Sequence, residues 1–267
     1  MQLPSGTYNT SYRREMAVVR TKLQWVLLIG LLVLGSLIPK FAGEPVLVFL
    51  VYLYITIISA LGLNLLTGYC GLISIGHAAF MAVGAFTCAH LVSSGMSFWV
   101  ATLVGILAAS LVGVFFGLPS MRVKELYLAL STLAAKFIII FCLVHFFGGD
   151  VGIRMAAPRL GNLVFDNVPS FYALAWVAVI VATFLAKSIA RTKLGRAFIA
   201  IRDNDIASEA MGINVSIYKL LAFFIGCAFA GLAGSLWAAF IGMASVEHFT
   251  LFDSIWYLGI VIVGGMG

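Results

Sequence analysis

From residue 23 onward the chain is a series of continuous apolar runs about twenty residues long, separated by short polar, glycine- or proline-bearing breaks. Runs of that length predict membrane-spanning helices, because a hydrocarbon core of about 30 Å takes roughly 20 residues at 1.5 Å each. Eight are predicted: Leu23–Ile38, Val46–Leu66, Leu72–Val92, Phe98–Leu118, Leu126–Phe147, Phe171–Ala190, Leu220–Ile241 and Asp253–Gly267. The period-two alternation of a β-barrel does not occur in them. The expected architecture is all-α: a polar segment 1–22, then a polytopic transmembrane helical bundle of about eight spans over 23–267.

One stretch departs from this pattern. Arg191–Lys219, RTKLGRAFIAIRDNDIASEAMGINVSIYK, carries five basic and three acidic residues in 29 positions. It is too polar to cross a bilayer and too patterned for a linker. Leu194, Phe198 and Ile201 follow helical spacing, and the spacing recurs at Ile206, Ala210 and Ile213. Asp203, Asn204 and Asp205 are good N-cap residues, and Gly212 is placed to end a helix over about 205–211. The charged face of that short helix is acidic. An anionic face suits a groove on a protein partner better than a lipid surface.

A second departure lies inside the apolar runs. LGLNLLTGYCGLISIGHAAFMAVGAFT, residues 61–87, holds Asn64, Thr67, Ser74 and His77 among glycines that weaken helix. The glycines around Tyr69 and Cys70 predict a break between the second and third spans. Broken backbone at membrane depth belongs where it is buried in protein or lines a cavity. A helix starting near Gly76–Ala79 could aim N–H groups at an anion. His77 admits two readings: an orienting hydrogen bond to a neighbouring helix, or direct contact with a substrate or proton. Lys136, within STLAAKFIIIF, must face the bundle interior, snorkel or pair; no carboxylate lies deep in another span, and Glu247 and Asp253, near a span end, could approach it only through the folding of the chain.

Composition agrees with the pattern: 63% of residues are hydrophobic, 10% are charged and mean hydropathy is +1.11. The formal charge of +6 needs no nucleic acid to explain it. With the N-terminus in the cytoplasm, that side holds Arg13, Arg14, Arg20, Lys22, Arg122, Lys124, Lys187, Arg191, Lys193, Arg196, Arg202 and Lys219. The other side holds Lys40, Arg154 and Arg159. Positive residues concentrate on the cytoplasmic side of membrane proteins, so this asymmetry sets the orientation and puts the polar arm inside the cell. Gly113-x-x-x-Gly117 and the small-residue run Ala228–Gly234 predict close helix packing.

Catalytic and metal chemistry is not written here. No Walker A, GxSxG or HExxH motif occurs, and Cys70, Cys88, Cys142 and Cys227 are scattered over four apolar segments. No arginine ladder or selectivity-filter motif is found either. What remains is a pathway powered by partners.

Four stretches carry a resemblance: LGLNLLTGYCGLISIGHAAFMAVGAF, ELYLALSTLA, GRAFIAIRDNDIASEAMGINVSIYKLLAF and GIVIVGGMG. From about residue 46 the chain resembles the LivM-type permease subunits of ABC importers for branched-chain amino acids, in a bacterial inner membrane. The resemblance implies a second, LivH-like permease, two cytoplasmic ATPase subunits that bind the ATP, a periplasmic binding protein, and no cofactor in this chain. It implies ATPase coupling at Arg202, Asp203, Asp205, Glu209 and Gly212, and a substrate path near Asn64, Tyr69, Ser74, His77 and Phe80. Family members usually continue past GGMG, so a chain ending at Gly267 is expected to be truncated. Alternative readings are an ABC permease for urea, short amides or other small carboxylates, and a passive channel.

Overall fold

The computed structural model describes residue 30 and residues 35–121, 125–148, 151–160 and 163–267. Most of the expected first span lies outside these residues, as do Arg122 and Lys124. Its end is helical over 35–41, where Tyr172 Oη donates to the Gly35 carbonyl at 2.9 Å.

Nine labelled α-helices follow among the described residues. They are α1 (Glu44–Leu63), α2 (His77–Ser93), α3 (Phe98–Gly117), α4 (Glu125–Phe147), α5 (Val168–Arg191), α6 (Lys193–Asp203), α7 (Asp205–Ala210), α8 (Val215–Ile241) and α9 (Leu251–Gly264), with a π-helical segment, Asn64–Tyr69, prolonging α1. Among the described residues, six helical segments are long and apolar enough to cross a membrane. α2, at 17 residues, is the short apolar exception. The expected span over Leu72–Val92 thus becomes a helix that starts five residues later, because 70–76 is not helical.

Helix α8 is the centre of the bundle. In its most apolar window 61% of residues are buried, against 22–44% in the other candidate spans. It packs on α1, α2 and α3, and its small residues explain how. A Cβ added to Gly84 of α2 would lie 2.5 Å from the Gly231 backbone, and one added to Gly231 would lie 2.8 Å from Ala109 Cβ of α3. Gly113 and Gly117 likewise face Cys227 and Phe223. The two small-residue motifs therefore form one internal seam, where van der Waals contact rather than the hydrophobic effect holds helices together. The periphery is large and apolar: Leu130, Phe137, Ile138 and Phe141 of α4 are all exposed, as helices facing lipid or another membrane subunit require.

The 148–167 connection carries short strands. β1 (Ile153–Arg154) pairs antiparallel with β4 (Met243–Ala244), which follows α8, and β2 (Arg159–Leu160) pairs with β3 (Leu163–Val164). The β1–β4 ladder fastens this end of the bundle across a long sequence separation. The polar arm, α6 and α7, lies at the other end of α5.

Candidate functional site

The π segment ends in a left-handed turn. Gly71 has φ +74°, a conformation open to glycine at no steric cost. The Gly71 N–H donates to the Thr67 carbonyl at 3.1 Å, the Leu72 N–H to the Leu66 carbonyl at 3.1 Å, and Thr67 Oγ1 to the Leu72 carbonyl at 3.0 Å. Asn64 lies directly over Gly68, where a Cβ would overlap its amide. After this knot the chain turns back along α1. His77 Nε2 lies 3.1 Å from the carbonyl of Ser59, ten residues before Tyr69, which on a helix is about 15 Å. Residues 70–76 are therefore re-entrant, and α2 begins beside Ser59, near the last turn of α1.

Around that start, two further helices supply polar contacts. Thr132 of α4 donates to Ala129 O at 2.9 Å and accepts from Ile75 N at 3.1 Å. Ser254 of α9 accepts from Ala78 N at 3.1 Å, and the Ala79 N–H goes to the Gly76 carbonyl at 3.0 Å. The Ala78 and Ala79 N–H groups at the start of α2 are thereby engaged within the chain and are not turned to an anion in this conformation. Ser74 Oγ and His77 Nδ1 are buried with no hydrogen-bond partner. Such groups cost roughly 1–3 kcal/mol each, so they mark where water or a moving polar group belongs.

Lys136 stands one turn beyond Thr132 on the same face of α4 and is 5% exposed. The acidic group whose charge reaches it is Asp253 of α9, the residue next to Ser254. Asp253 is itself held by a capping box with Thr250. Sequence alone could not single out a partner here, because Asp253 sits at a helix start that the fold brings to α4. Thr132, Lys136, Asp253 and Ser254 were not predicted as a group. Their sequence signals were a lysine within an apolar run and, for Asp253, a carboxylate near a span end.

The arm is built by local capping. Asn204 (φ −163°, ψ 109°) breaks the helix between α6 and α7 and caps α7, its Oδ1 accepting from Ala207 N at 3.0 Å. Gly212, at φ +86°, ends it: Gly212 N donates to Glu209 O at 2.9 Å and Ile213 N to Ser208 O at 3.0 Å, the paired bonds of a Schellman stop. Phe198 and Ile201 of α6 are buried as expected. The second apolar stripe is not: Ile206 is 82% exposed, as is Met211 at 85%. Ser208 is the buried side chain of α7.

The predicted site residues fall into two groups. Asn64, Tyr69, Ser74, His77 and Phe80 lie along the π segment, the re-entrant stretch and the start of α2; Ser74, His77 and Phe80 are fully buried, and Asn64 Oδ1 accepts from Gly267 N at 3.1 Å. On the arm, Asp203 and Glu209 are exposed. Arg202 and Asp205 instead reach their own transmembrane helices: Arg202 Nη1 donates to Gly68 O at 2.6 Å, and Lys219 Nζ of α8 to Asp205 Oδ2 at 2.5 Å. Among the described residues no cluster of three or more metal-ligating side chains forms.

Membrane-length helices, a break between the π segment and α2, and a polar arm at one end together make a polytopic helical membrane protein. The chain belongs to the family described as branched-chain amino acid transport system / permease component, which it matches over residues 46–267. It is 34% identical over 272 residues to the high-affinity branched-chain amino acid transport system permease protein LivM of Escherichia coli (strain K12), covering 91% of this chain and 64% of that protein. It is 35% identical over 241 residues to LivM of Salmonella typhimurium, covering 80% and 57%. An autoinducer 2 import system permease protein, LsrC of Shigella flexneri, is 26% identical over 154 residues, covering 57% and 44%. The chain thus spans about three fifths of the length of the LivM relatives. No solved structure matches it.

Proposed function

We propose that this chain is a permease subunit of an ABC importer and forms part of the transmembrane path for branched-chain amino acids. The observation that supports this most is the match to LivM relatives across both unusual regions, the re-entrant stretch and the arm. In this reading the protein sits in a bacterial inner membrane with its N-terminus and arm in the cytoplasm, as the distribution of lysine and arginine favours. A LivH-like permease completes the path, two ATPase subunits bind and hydrolyse ATP, and a periplasmic binding protein delivers the amino acid.

The arm is the element that meets the ATPase. Exposed Ile206 and Met211 supply an apolar contact, Asp203 and Glu209 supply charge, and Gly212 fixes where α7 stops. At the other end of the mechanism, Asn64, Tyr69, Ser74, His77 and Phe80 border the path at the re-entrant turn. Alternating access would require the start of α2 to open. The unpaired atoms of Ser74 and His77 are the groups that would gain partners when it does.

Uptake of labelled leucine tests the reading. Cells lacking this chain but retaining the rest of the system should lose leucine uptake, and expression of the chain should restore it. Restored uptake of urea or of a short amide, with leucine uptake unchanged throughout, would replace the cargo assignment.

A further inference from the structure

Arg202 is expected to contact the ATPase, yet its side chain turns the other way. Its guanidinium donates to the carbonyl of Gly68 at 2.6 Å. That carbonyl lies one residue before the end of the π segment, among the backbone acceptors left without intrahelical partners there. The negative end of the α1–π dipole favours a cation at this place. An arginine stays charged under all physiological conditions and presents donors in a rigid fork.

The arginine also shapes the turn. A Cβ on Gly71 would lie 3.0 Å from Arg202 Cγ and 3.5 Å from its Cα. The arm therefore lies against the left-handed residue from which the re-entrant stretch departs. Beside Arg202, Asp203 Oδ1 is 3.5 Å from Arg202 Nε, an exposed pair that orients the guanidinium more than it stabilises the fold. One residue beyond the Asn204 break, Asp205 makes the second link, to Lys219 of α8. The two links reach different transmembrane elements from opposite sides of one joint. π-helical turns are frequent at functional sites, and this one has a non-helical stretch on its far side.

We infer that Arg202 is the positioning residue that carries displacement of the arm into the membrane: by clasping the end of the π segment it moves the re-entrant stretch 70–76, and with it the start of α2. This rests on the proposed role of the arm as the ATPase contact. Exposed Ile206 and Met211 receive the push, and Arg202 transmits it.

Cys70, buried between the π segment and Gly71, is a native reporter of that movement. The experiment uses the whole transporter, purified by a tag on this chain and reconstituted in proteoliposomes, with Cys88, Cys142 and Cys227 replaced by alanine or serine. The rate of Cys70 labelling by N-ethylmaleimide is compared without nucleotide and with ATP plus vanadate. With Arg202 in place the two rates should differ. In Arg202→Met they should converge, and leucine uptake per ATP hydrolysed should fall about tenfold, the scale of one lost charged hydrogen bond. Arg202→Lys, with one charged donor retained, should recover most of the difference; Lys193→Ala, on an exposed position of the same helix, should leave both readouts unchanged. Should Arg202→Met fail to assemble, Gly71→Ala is read in its place, since it leaves the arginine present but displaces it. Nucleotide-dependent labelling and normal uptake per ATP in the variant that assembles would overturn the inference. Failure of the underlying reading is distinct: the transporter with Arg202 intact would itself show no ATP-driven uptake.

Discussion

At the scale of single residues, Lys136 is the sharpest departure from what the membrane favours. It is 5% exposed, and among the described residues no carboxylate stands within ion-pair distance of it. Asp253 acts on it only from longer range. Replacing a buried charge by an apolar side chain of similar length is often neutral or stabilising, whereas a like charge placed beside its partner is costly. Lys136→Met should therefore leave the thermal unfolding midpoint of the detergent-solubilised protein unchanged or raised, and Lys136→Glu should lower it by several degrees. Equal loss in both variants would show that Lys136 is held by packing rather than by charge. The lysine itself was legible in the sequence as an anomaly; its acidic counterpart was not singled out. Asp253 belongs to the first turn of α9, and only the fold brings that turn beside α4. His77 shows the reverse case. Its position within an apolar stretch marked it for a hydrogen bond to a neighbouring helix or for direct chemistry, and the contact to Ser59 O supplies the first without excluding the second.

Among elements, α7 was readable because its ends are set locally. An asparagine that accepts from the third N–H beyond it and a glycine at positive φ need no tertiary information. Gly212→Ala should cost about 1 kcal/mol in the left-handed region, which corresponds to roughly fivefold faster hydrogen exchange at Ile213, whose N–H closes the stop. Exchange at the rate of the unsubstituted protein would show that the stop is held by something other than glycine. The apolar stripe Ile206, Ala210 and Ile213 was correctly spaced but largely unburied, since periodicity reports which residues share a face and not what covers it. The π segment was legible only as a weak place. Glycines at 68 and 71 announced a break, but widening of the last turn depends on Asn64 lying over Gly68 and on where Leu72 finds its acceptor.

For the molecule as a whole, run length predicted a helical bundle, and small-residue spacing predicted where helices meet. The 17-residue α2 is the main structural difference, and it follows from the chain returning alongside α1 as far as Ser59 before helix resumes. The two unusual regions then prove to be neighbours: the arm touches the π segment through Arg202, and the π segment leads to the polar cluster around Ser74 and His77. In the proposed function, coupling between ATP hydrolysis and movement of cargo runs along that line of contacts. The most direct measurement is the number of leucine molecules accumulated per ATP hydrolysed by the complete transporter in proteoliposomes, with and without Glu209→Lys on the exposed face of α7. We expect accumulation against a gradient in the unsubstituted transporter and, in the variant, assembled protein whose accumulation falls at least tenfold, a loss of ~1.4 kcal/mol or more of coupling. Undiminished accumulation per ATP in the variant, or ATP-independent equilibration of leucine in the unsubstituted protein, would contradict the account.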